Sequence, residues 1–225
     1  DWGEDRMSEM IKGRNDWCIS RQRTWGVPLP IFYCKDCGEP YVTEESIKKI
    51  QEVVRIEGTN AWWAKEAKDL VPEGAKCPKC GCTEFKKETD IMDVWFDSGS
   101  MPYAQLHYPF ENKELLDKRV VYPADFIAEG VDQTRGWFFT LHAIATMVFD
   151  SVAFKAVISN GLVLDKNGNK MSKRLGNAVE PFGAIQKYGS DPLRWYMITN
   201  SSPWDNLKFD EDGVQEVART YFGKL

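Results

Sequence analysis

Pro123-Ala124-Asp125-Phe126-Ile127-Ala128-Glu129-Gly130, an apolar stripe at Trp137, Leu141, Ile144, Ala145 and Val148, and Phe154-Lys155-Ala156-Val157-Ile158-Ser159 together decide the fold. The first and last segments read as strands, and the stripe between them recurs at helical spacing. Strand–helix–strand in this order predicts a βαβ unit of a parallel sheet. In such sheets ligands sit beyond the carboxyl ends of the strands. Here those ends carry Glu129-Gly130-Val131-Asp132-Gln133 and Asn160-Gly161. Both are polar and glycine-bearing, as a nucleotide or amino-acid site requires.

Downstream, Leu162-Val163-Leu164 meets Asn167-Gly168, a strong hairpin signal. Lys170-Met171-Ser172-Lys173-Arg174 follows on a glycine-flanked loop. Two lysines three apart, beside small polar residues, suit a mobile clamp on a polyphosphate, although most such pairs are solvated charge. Two short helices are expected at Pro181 to Tyr188 and Asp191 to Ile198, with Pro181 and Pro192 near their starts. From Asp210, Val214, Val217 and Tyr221 again show helical spacing.

Upstream, Asp16 to Arg21 reads as a short strand, Trp25-Gly26-Val27-Pro28-Leu29-Pro30 as a rigid turn, and Ile31-Phe32-Tyr33 as a strand. That strand runs into Cys34-Lys35-Asp36-Cys37-Gly38, which is matched later by Cys77-Pro78-Lys79-Cys80-Gly81. Each C-x-x-C-G knuckle sets two thiolates on a tight turn relieved by glycine, and two knuckles complete a tetrahedral zinc site. Disulfides are the weaker alternative in a chain of cytosolic character. Four cysteine ligands leave no open position, so the metal's expected role is structural. Cys82 is a competing ligand of poorer spacing, and Cys18 reads as a small buried apolar residue. The long stretch between the knuckles must be an element of its own, with Ile47, Ile50 and Val54 at helical spacing and a helix from Ala61 to Leu70. Ile91-Met92-Asp93-Val94-Trp95-Phe96 reads as a strand, broken by a turn at Asp97-Ser98-Gly99-Ser100.

A chain of 225 residues can bury one good core with a small satellite. Its net charge of −5 excludes a wholly basic nucleic-acid grip. No apolar run approaches a membrane span and no secretory signal opens the chain, so a cytoplasmic location is expected. The first residue is Asp1, which suggests a piece of a longer protein. No G-x-x-x-x-G-K-[ST] is present, which excludes a P-loop nucleotidase.

Several blocks carry a resemblance. The run from Ser159 to Asn177 resembles the KMSKS loop of the class I aminoacyl-tRNA synthetases. Trp17 to Pro28 is similar to the segment after the editing insertion in the members that charge isoleucine, valine or leucine. Asp93-Val94-Trp95-Phe96-Asp97-Ser98-Gly99-Ser100 resembles their D-x-W-F/Y-D-S-G block, and Glu129 to Phe138 the block that shares the synthetic site with the loop. The pairing of Arg23-Thr24-Trp25-Gly26-Val27-Pro28 with Glu129-Gly130-Val131-Asp132-Gln133 is most similar to the isoleucine-specific members. Arg174 stands where the commonest form of the loop has Ser.

The resemblance implies an α/β fold: the C-terminal half of a Rossmann-like nucleotide-binding domain, with an inserted zinc-ribbon-like subdomain and the start of a helical junction. It implies a connection from the editing insertion over 1–33 and a zinc-binding insertion over 34–90. The second half of the catalytic domain would occupy 91–176, and a junction toward an anticodon-binding domain 177–225. The implied partners are ATP with Mg2+, L-isoleucine and tRNA(Ile), in a monomeric full-length enzyme. Lys173, assisted by Lys170, would contact the ATP phosphates, and the Asn160-Gly161 backbone would lie near the adenine. Glu129 and Gly130, with Asp132 and Gln133, would bind the aminoacyl-adenylate, Glu129 through the ammonium. Trp95 and Trp137 would wall the isoleucine side chain. Cys34, Cys37, Cys77 and Cys80 would hold zinc.

Blander roles compete. In the bland reading Glu129 and Asp132 are solvated or cap the next helix, which their place at a strand end makes the weaker reading, and Trp137 is plain core. Strand alternation places one of Trp95 and Phe96 in the core. His107 and His142 read as structural. The first-half element His-x-Gly-His is absent, so the chain is expected to hold half an active site and to be inactive alone. Sister enzymes for valine or leucine are the nearest alternative. A zinc-ribbon module that only binds RNA or protein is the alternative of a different class.

Overall fold

A helix that no apolar periodicity announces begins the chain. It is α1 (Trp2–Lys12), with Glu4 and Asp5 in the first turn and Lys12 in the last, the order the helix dipole favours. The computed structural model describes residues 2–225. The chain divides into two units, Asp1–Ser98 and Gly99–Leu225.

In the first unit β1 (Ser20–Arg21), β2 (Phe32–Cys34) and β3 (Pro40–Tyr41) precede α2 (Glu44–Glu57), α3 (Ala61–Ala64) and α4 (Ala67–Leu70). Then come β4 (Phe85–Lys87) and β5 (Ile91–Met92), and α5 (Val94–Gly99) carries the chain into the second unit. β2 is central in an antiparallel sheet of order β3-β2-β4, and β1 pairs antiparallel with β5. Thr43 opens α2 with a reciprocal cap: its hydroxyl accepts from the Ser46 N–H at 3.1 Å and the Ser46 hydroxyl accepts from its own N–H at 2.8 Å. Phe32, Tyr41, Ile50, Trp62, Leu70 and Phe85 form one core with Cys34 and Cys77. Thus the first cysteine of each knuckle is part of the apolar core.

Three expectations are corrected here. The strand of Asp16 to Arg21 shrinks to its last two residues. The helix of Ala61 to Leu70 is two helices, because the Lys87 ammonium takes the carbonyls of Trp62 and Lys65 and stops α3. The strand of Ile91 to Phe96 ends at Met92, and Val94 to Gly99 is helical rather than strand and turn. The buried Asp93 causes this. Its carboxylate accepts from the Trp17 indole at 2.8 Å and pairs with Arg21 at 3.1 Å, while its carbonyl accepts the Phe96 N–H at 2.8 Å.

The second unit contains α6 (Met101–Ala104), α7 (Lys113–Asp117), β6 (Ile127–Gly130), α8 (Trp137–Phe149), β7 (Val157–Asn160) and β8 (Val163–Leu164). It ends with α9 (Pro181–Tyr188), α10 (Ser190–Thr199), β9 (Leu207–Lys208) and α11 (Glu211–Thr220). β6 and β7 are parallel and joined through α8, as the βαβ reading requires. Both strands start later than expected, with only an isolated bridge between Ala124 and Phe154 before them. On α8 the buried stripe is Phe138, Leu141, Ile144 and Ala145. Trp137 is only half-buried and Val148 is exposed, so the stripe is turned by one residue from the expected one. The hairpin at Asn167-Gly168 closes on a single bridge between Leu164 and Lys170. The true partner of β8 is β9, in parallel. α9, α10 and α11 stand as expected, with Asp210 capping α11 through the Asp212 N–H. Tyr196, Leu207, Phe209 and Val214 are their shared core.

Candidate functional site

Because β6 and β7 are parallel and in register, Glu129 lies opposite Ser159 and Gly130 opposite Asn160. The two carboxyl ends therefore finish side by side, at the position where open α/β sheets take ligands. Glu129 and Asp132 are exposed, and among the described residues neither forms an ion pair. A 3-10 turn, Val131–Arg135, leads directly from Gly130 into α8. The cap of α8 falls to Gln133, whose Oε1 accepts from the Trp137 N–H at 2.9 Å while its Nε2 donates to Asp132 at 3.3 Å. Neither Glu129 nor Asp132 is used as the cap, although Asp132 gives one acceptor position to Gln133.

Beyond Asn160 the chain passes under a segment that sequence reading missed. Gly161 donates to the Pro203 carbonyl at 2.8 Å, and Leu162 to Asn206 Oδ1 at 2.8 Å. A Cβ at Gly161 would stand 2.1 Å from the Asp205 carbonyl oxygen, against rigid backbone. Gly161→Ala is therefore expected to destabilise the second unit by roughly 3 kcal/mol, the upper part of the overpacking range. Urea denaturation of the chain reads this directly, and an unchanged midpoint would contradict the close approach.

The lysine loop is built in advance. Lys170, Lys173 and Arg174 are exposed, and among the described residues none forms an ion pair. Lys173–Leu175 is a 3-10 turn, capped by the Ser172 hydroxyl accepting from the Arg174 N–H at 3.2 Å. The Asp165 carboxylate accepts from the Asn167 and Asn169 N–H groups at 2.9 and 2.8 Å and from the Asn177 amide at 2.9 Å. These bonds, Asn177 first, hold its pKa below the usual range, so it is ionised at neutral pH. Met171 packs on the core of Tyr196 and Leu207. The loop thus presents two lysines while its methionine is anchored below.

The two cysteine knuckles meet in the first unit. Gly38 and Gly81 sit at φ of +73° and +78°, and each donates to the carbonyl of its knuckle's first cysteine, at 3.0 and 2.9 Å. Cys34 Sγ lies 3.5 Å from Cys80 Sγ, and Cys37 Sγ 3.5 Å from Cys77 Sγ. All four sulfurs lie within 4.8 Å of one another. A disulfide needs about 2.05 Å, whereas ligands 2.3 Å from a tetrahedral zinc stand roughly 3.8 Å apart. The donor set fits zinc. The Cys37 backbone N–H draws the Cys34 thiol down to about 6. Cys80 is pushed up to about 12: the Cys82 backbone lowers it, but the thiols of Cys34 and Cys37 outweigh that. A divalent cation resolves this competition for protons by favouring four thiolates. Cys82 is outside the group, its sulfur accepting the Glu84 N–H at 3.3 Å. Cys18 is exposed, not buried as expected, with its sulfur 3.5 Å from the Ser20 hydroxyl.

The two tryptophans fall in different units. Trp95 belongs to the first unit, on helix α5, where it is 43% exposed; strand alternation does not apply to it. It lines a cleft of about 800 Å³ with Trp25, Trp63, Arg23 and Asp93. Trp25 and Trp63 are far apart in sequence, and no spacing signal links them. Trp137 is half-buried at the start of α8 in the second unit. His142 packs edge-on against Phe154 at 4.5 Å, and burial lowers its pKa, as a structural histidine requires. His107 is exposed and pairs with Glu111 at 3.3 Å.

The family model described as tRNA synthetases class I (I, L, M and V) matches residues 1–210. An isoleucine--tRNA ligase from Bacteroides fragilis is 57% identical over 244 residues, 99% of this chain and 21% of the relative. One from Carboxydothermus hydrogenoformans is 49% identical over 220 residues, 98% of this chain and 23% of the relative. The chain spans about a fifth of the length of these curated relatives. Among solved structures, the ternary complex of Agrobacterium radiobacter K84 agnB2 LeuRS-tRNA-LeuAMS superposes with a TM-score of 0.63 at 27% identity, over 95% of this chain and 28% of that one. Mycobacterium tuberculosis methionyl-tRNA synthetase in complex with methionyl-adenylate gives 0.59 at 18% identity, over 97% and 32%, a likeness of fold.

Proposed function

Since the chain belongs to the class I tRNA synthetases (I, L, M and V), we propose that it is the adenylate-handling segment of an isoleucine--tRNA ligase. The observation that carries this reading is the side-by-side ending of β6 and β7, which puts Glu129 and Gly130 beside Asn160, in a chain 57% identical to such a ligase. In this reading the chain is the second half of a Rossmann-like domain with a zinc-binding insertion and a helical junction. Its extents are 1–33 for the connection, 34–90 for the insertion, 91–176 for the catalytic half and 177–225 for the junction.

The reaction is two transfers. An oxygen of the isoleucine carboxylate attacks the α-phosphorus of ATP, and the bond from that phosphorus to the bridging oxygen breaks. Isoleucyl-adenylate and pyrophosphate result. A ribose hydroxyl at the end of tRNA(Ile) then attacks the acyl carbon and AMP leaves. No side-chain nucleophile is needed, so catalysis is positioning and charge stabilisation. Glu129 takes the substrate ammonium, a full charge on an exposed carboxylate at a strand end. Asp132 and the Nε2 side of Gln133 face the adenylate's polar groups. The Asn160-Gly161 backbone lies against the adenine, held there by the Pro203 and Asn206 contacts. Lys173, with Lys170, neutralises charge developing on the leaving phosphates, whose Mg2+ enters with ATP. Trp137, half-buried at the start of α8, walls the isoleucine side chain. Such an apolar pocket cannot strongly reject one methylene less, and isoleucine against valine is the standard worked case of that limit. Zinc at Cys34, Cys37, Cys77 and Cys80 is structural, its four positions all filled by protein.

Calorimetric titration with non-hydrolysable isoleucyl-, valyl- and leucyl-adenylate analogues tests this reading in a full-length enzyme carrying the segment. The isoleucyl analogue is expected to bind most tightly, and Glu129→Ala to weaken it at least tenfold. Preference for the valyl or leucyl analogue would move the assignment to a sister enzyme. Indifference to Glu129→Ala would remove the ammonium contact.

A further inference from the structure

We propose that Asn177 and Asp165 form a clasp that positions the lysine loop for phosphate contact. The proposal rests on the reading of Lys170 and Lys173 as phosphate-binding residues. Among the described residues, Asn177 reaches both Asp165 and the backbone between the two lysines. Its Nδ2 donates to Asp165 Oδ2 at 2.9 Å and to the Lys170 carbonyl at 3.2 Å, and its Oδ1 accepts from the Ser172 N–H at 2.9 Å. The backbone that carries Lys170 and the residue before Lys173 are therefore tied to one side chain. Asp165 closes the other side by accepting the Asn167 and Asn169 N–H groups through Oδ1. One carboxylate and one amide, twelve residues apart, thus fix the hairpin and the 3-10 turn as a single object. Met171, packed against the helical core, sets the depth of that object.

The consequence is preorganisation. An exposed lysine contributes to a transition state only if it need not be ordered during the reaction. Loss of the clasp leaves both ammonium groups in place and lets their backbone wander. A displacement near 1 Å at such a group costs about a hundredfold in rate. Asn177 and Asp165 are thus positioning residues that act through Lys170 and Lys173 without touching substrate. The chemistry of Asn177 is specific: aspartate there would lose the donor to Asp165 and set two carboxylates face to face.

The test is ATP–pyrophosphate exchange in a full-length enzyme carrying this segment, with Asn177→Ala, Asn177→Asp, the swap Asp165→Asn with Asn177→Asp, and Lys173→Ala as reference. The clasp predicts that Asn177→Ala lowers kcat roughly ten- to a hundredfold and leaves the isoleucine KM within about twofold. Asn177→Asp is expected to be worse, and the swap to recover part of the loss, since an amide again faces a carboxylate. Unchanged kcat in Asn177→Ala with a crippled Lys173→Ala would overturn the clasp alone. Unchanged kcat in both would overturn the phosphate reading beneath it. A raised isoleucine KM together with a lowered melting temperature, and no recovery in the swap, would make the contact merely structural and overturn the proposal.

Discussion

Lys173→Ala is expected to slow isoleucyl-adenylate formation by roughly 10²–10³-fold, the loss typical of one preorganised donor to developing charge. The isoleucine KM should stay within about twofold, because the proposed amino-acid contacts, Glu129 and Trp137, lie elsewhere in the chain. The geometry explains why the effect is large. Lys173 opens a capped 3-10 turn on a loop whose backbone is tied at both flanks, and it is exposed with no carboxylate among the described residues to compete for it. It therefore meets the phosphates as a full charge. Its contact strengthens as negative charge builds on the leaving pyrophosphate, so the loss falls on kcat rather than on ground-state binding. Lys170→Ala should show the same pattern with a smaller loss, since its carbonyl, not its ammonium, is what the clasp uses. Single-turnover kinetics of adenylate formation measure both. An effect confined to the KM for ATP would show that the lysine binds substrate and transition state alike.

The second large effect is expected at the cysteine cluster. Replacing Cys77 with serine, or chelating the metal, should unfold much of the part between Cys34 and Phe85. Its core is small: Phe32, Trp62, Leu70 and Phe85 pack around two of the thiols themselves. A core of this size needs a staple, and structural zinc in small modules supplies roughly 10 kcal/mol of apparent binding free energy at neutral pH. Acid should act in the same direction. Protons compete with the metal for all four thiolates, and Cys80, pushed up to about 12, claims its proton before Cys34, drawn down to about 6. Stability of this part is thus expected to fall as pH is lowered. One zinc per chain by atomic absorption, with loss of the near-ultraviolet signal of the buried Trp62 on chelation, is the expected outcome. A chain with no zinc and an unchanged Trp62 signal would refute the staple.

The sequence spoke most clearly where periodicity or covalent spacing carries the signal. The stripe on α8 and the flanking apolar runs announced the parallel pair, and C-x-x-C-G twice announced the sulfur cluster, because two residues between cysteines fix a turn whatever surrounds it. Val94-Trp95-Phe96 misled, since bulky residues favour strands, yet the buried Asp93 carbonyl starts a helix there. That choice depends on Trp17 and Arg21, far away in the chain. β9 was invisible for a similar reason: two residues become a strand only because Gly161 lets the backbone approach. At the candidate site, the carboxylates and lysines were legible as residue types at a strand end and on a loop. What holds them was not, because Gln133 as cap and Asn177 as clasp act through hydrogen bonds that leave no period in the sequence.

The most direct test of the site is hydrogen–deuterium exchange of a full-length enzyme carrying this segment, with and without a non-hydrolysable isoleucyl-adenylate analogue. Protection of residues 129–133 and 160–161, with further protection of 170–175 when pyrophosphate is added, is the predicted result. Protection confined to other segments, with these three unchanged, would place the adenylate elsewhere and contradict the account.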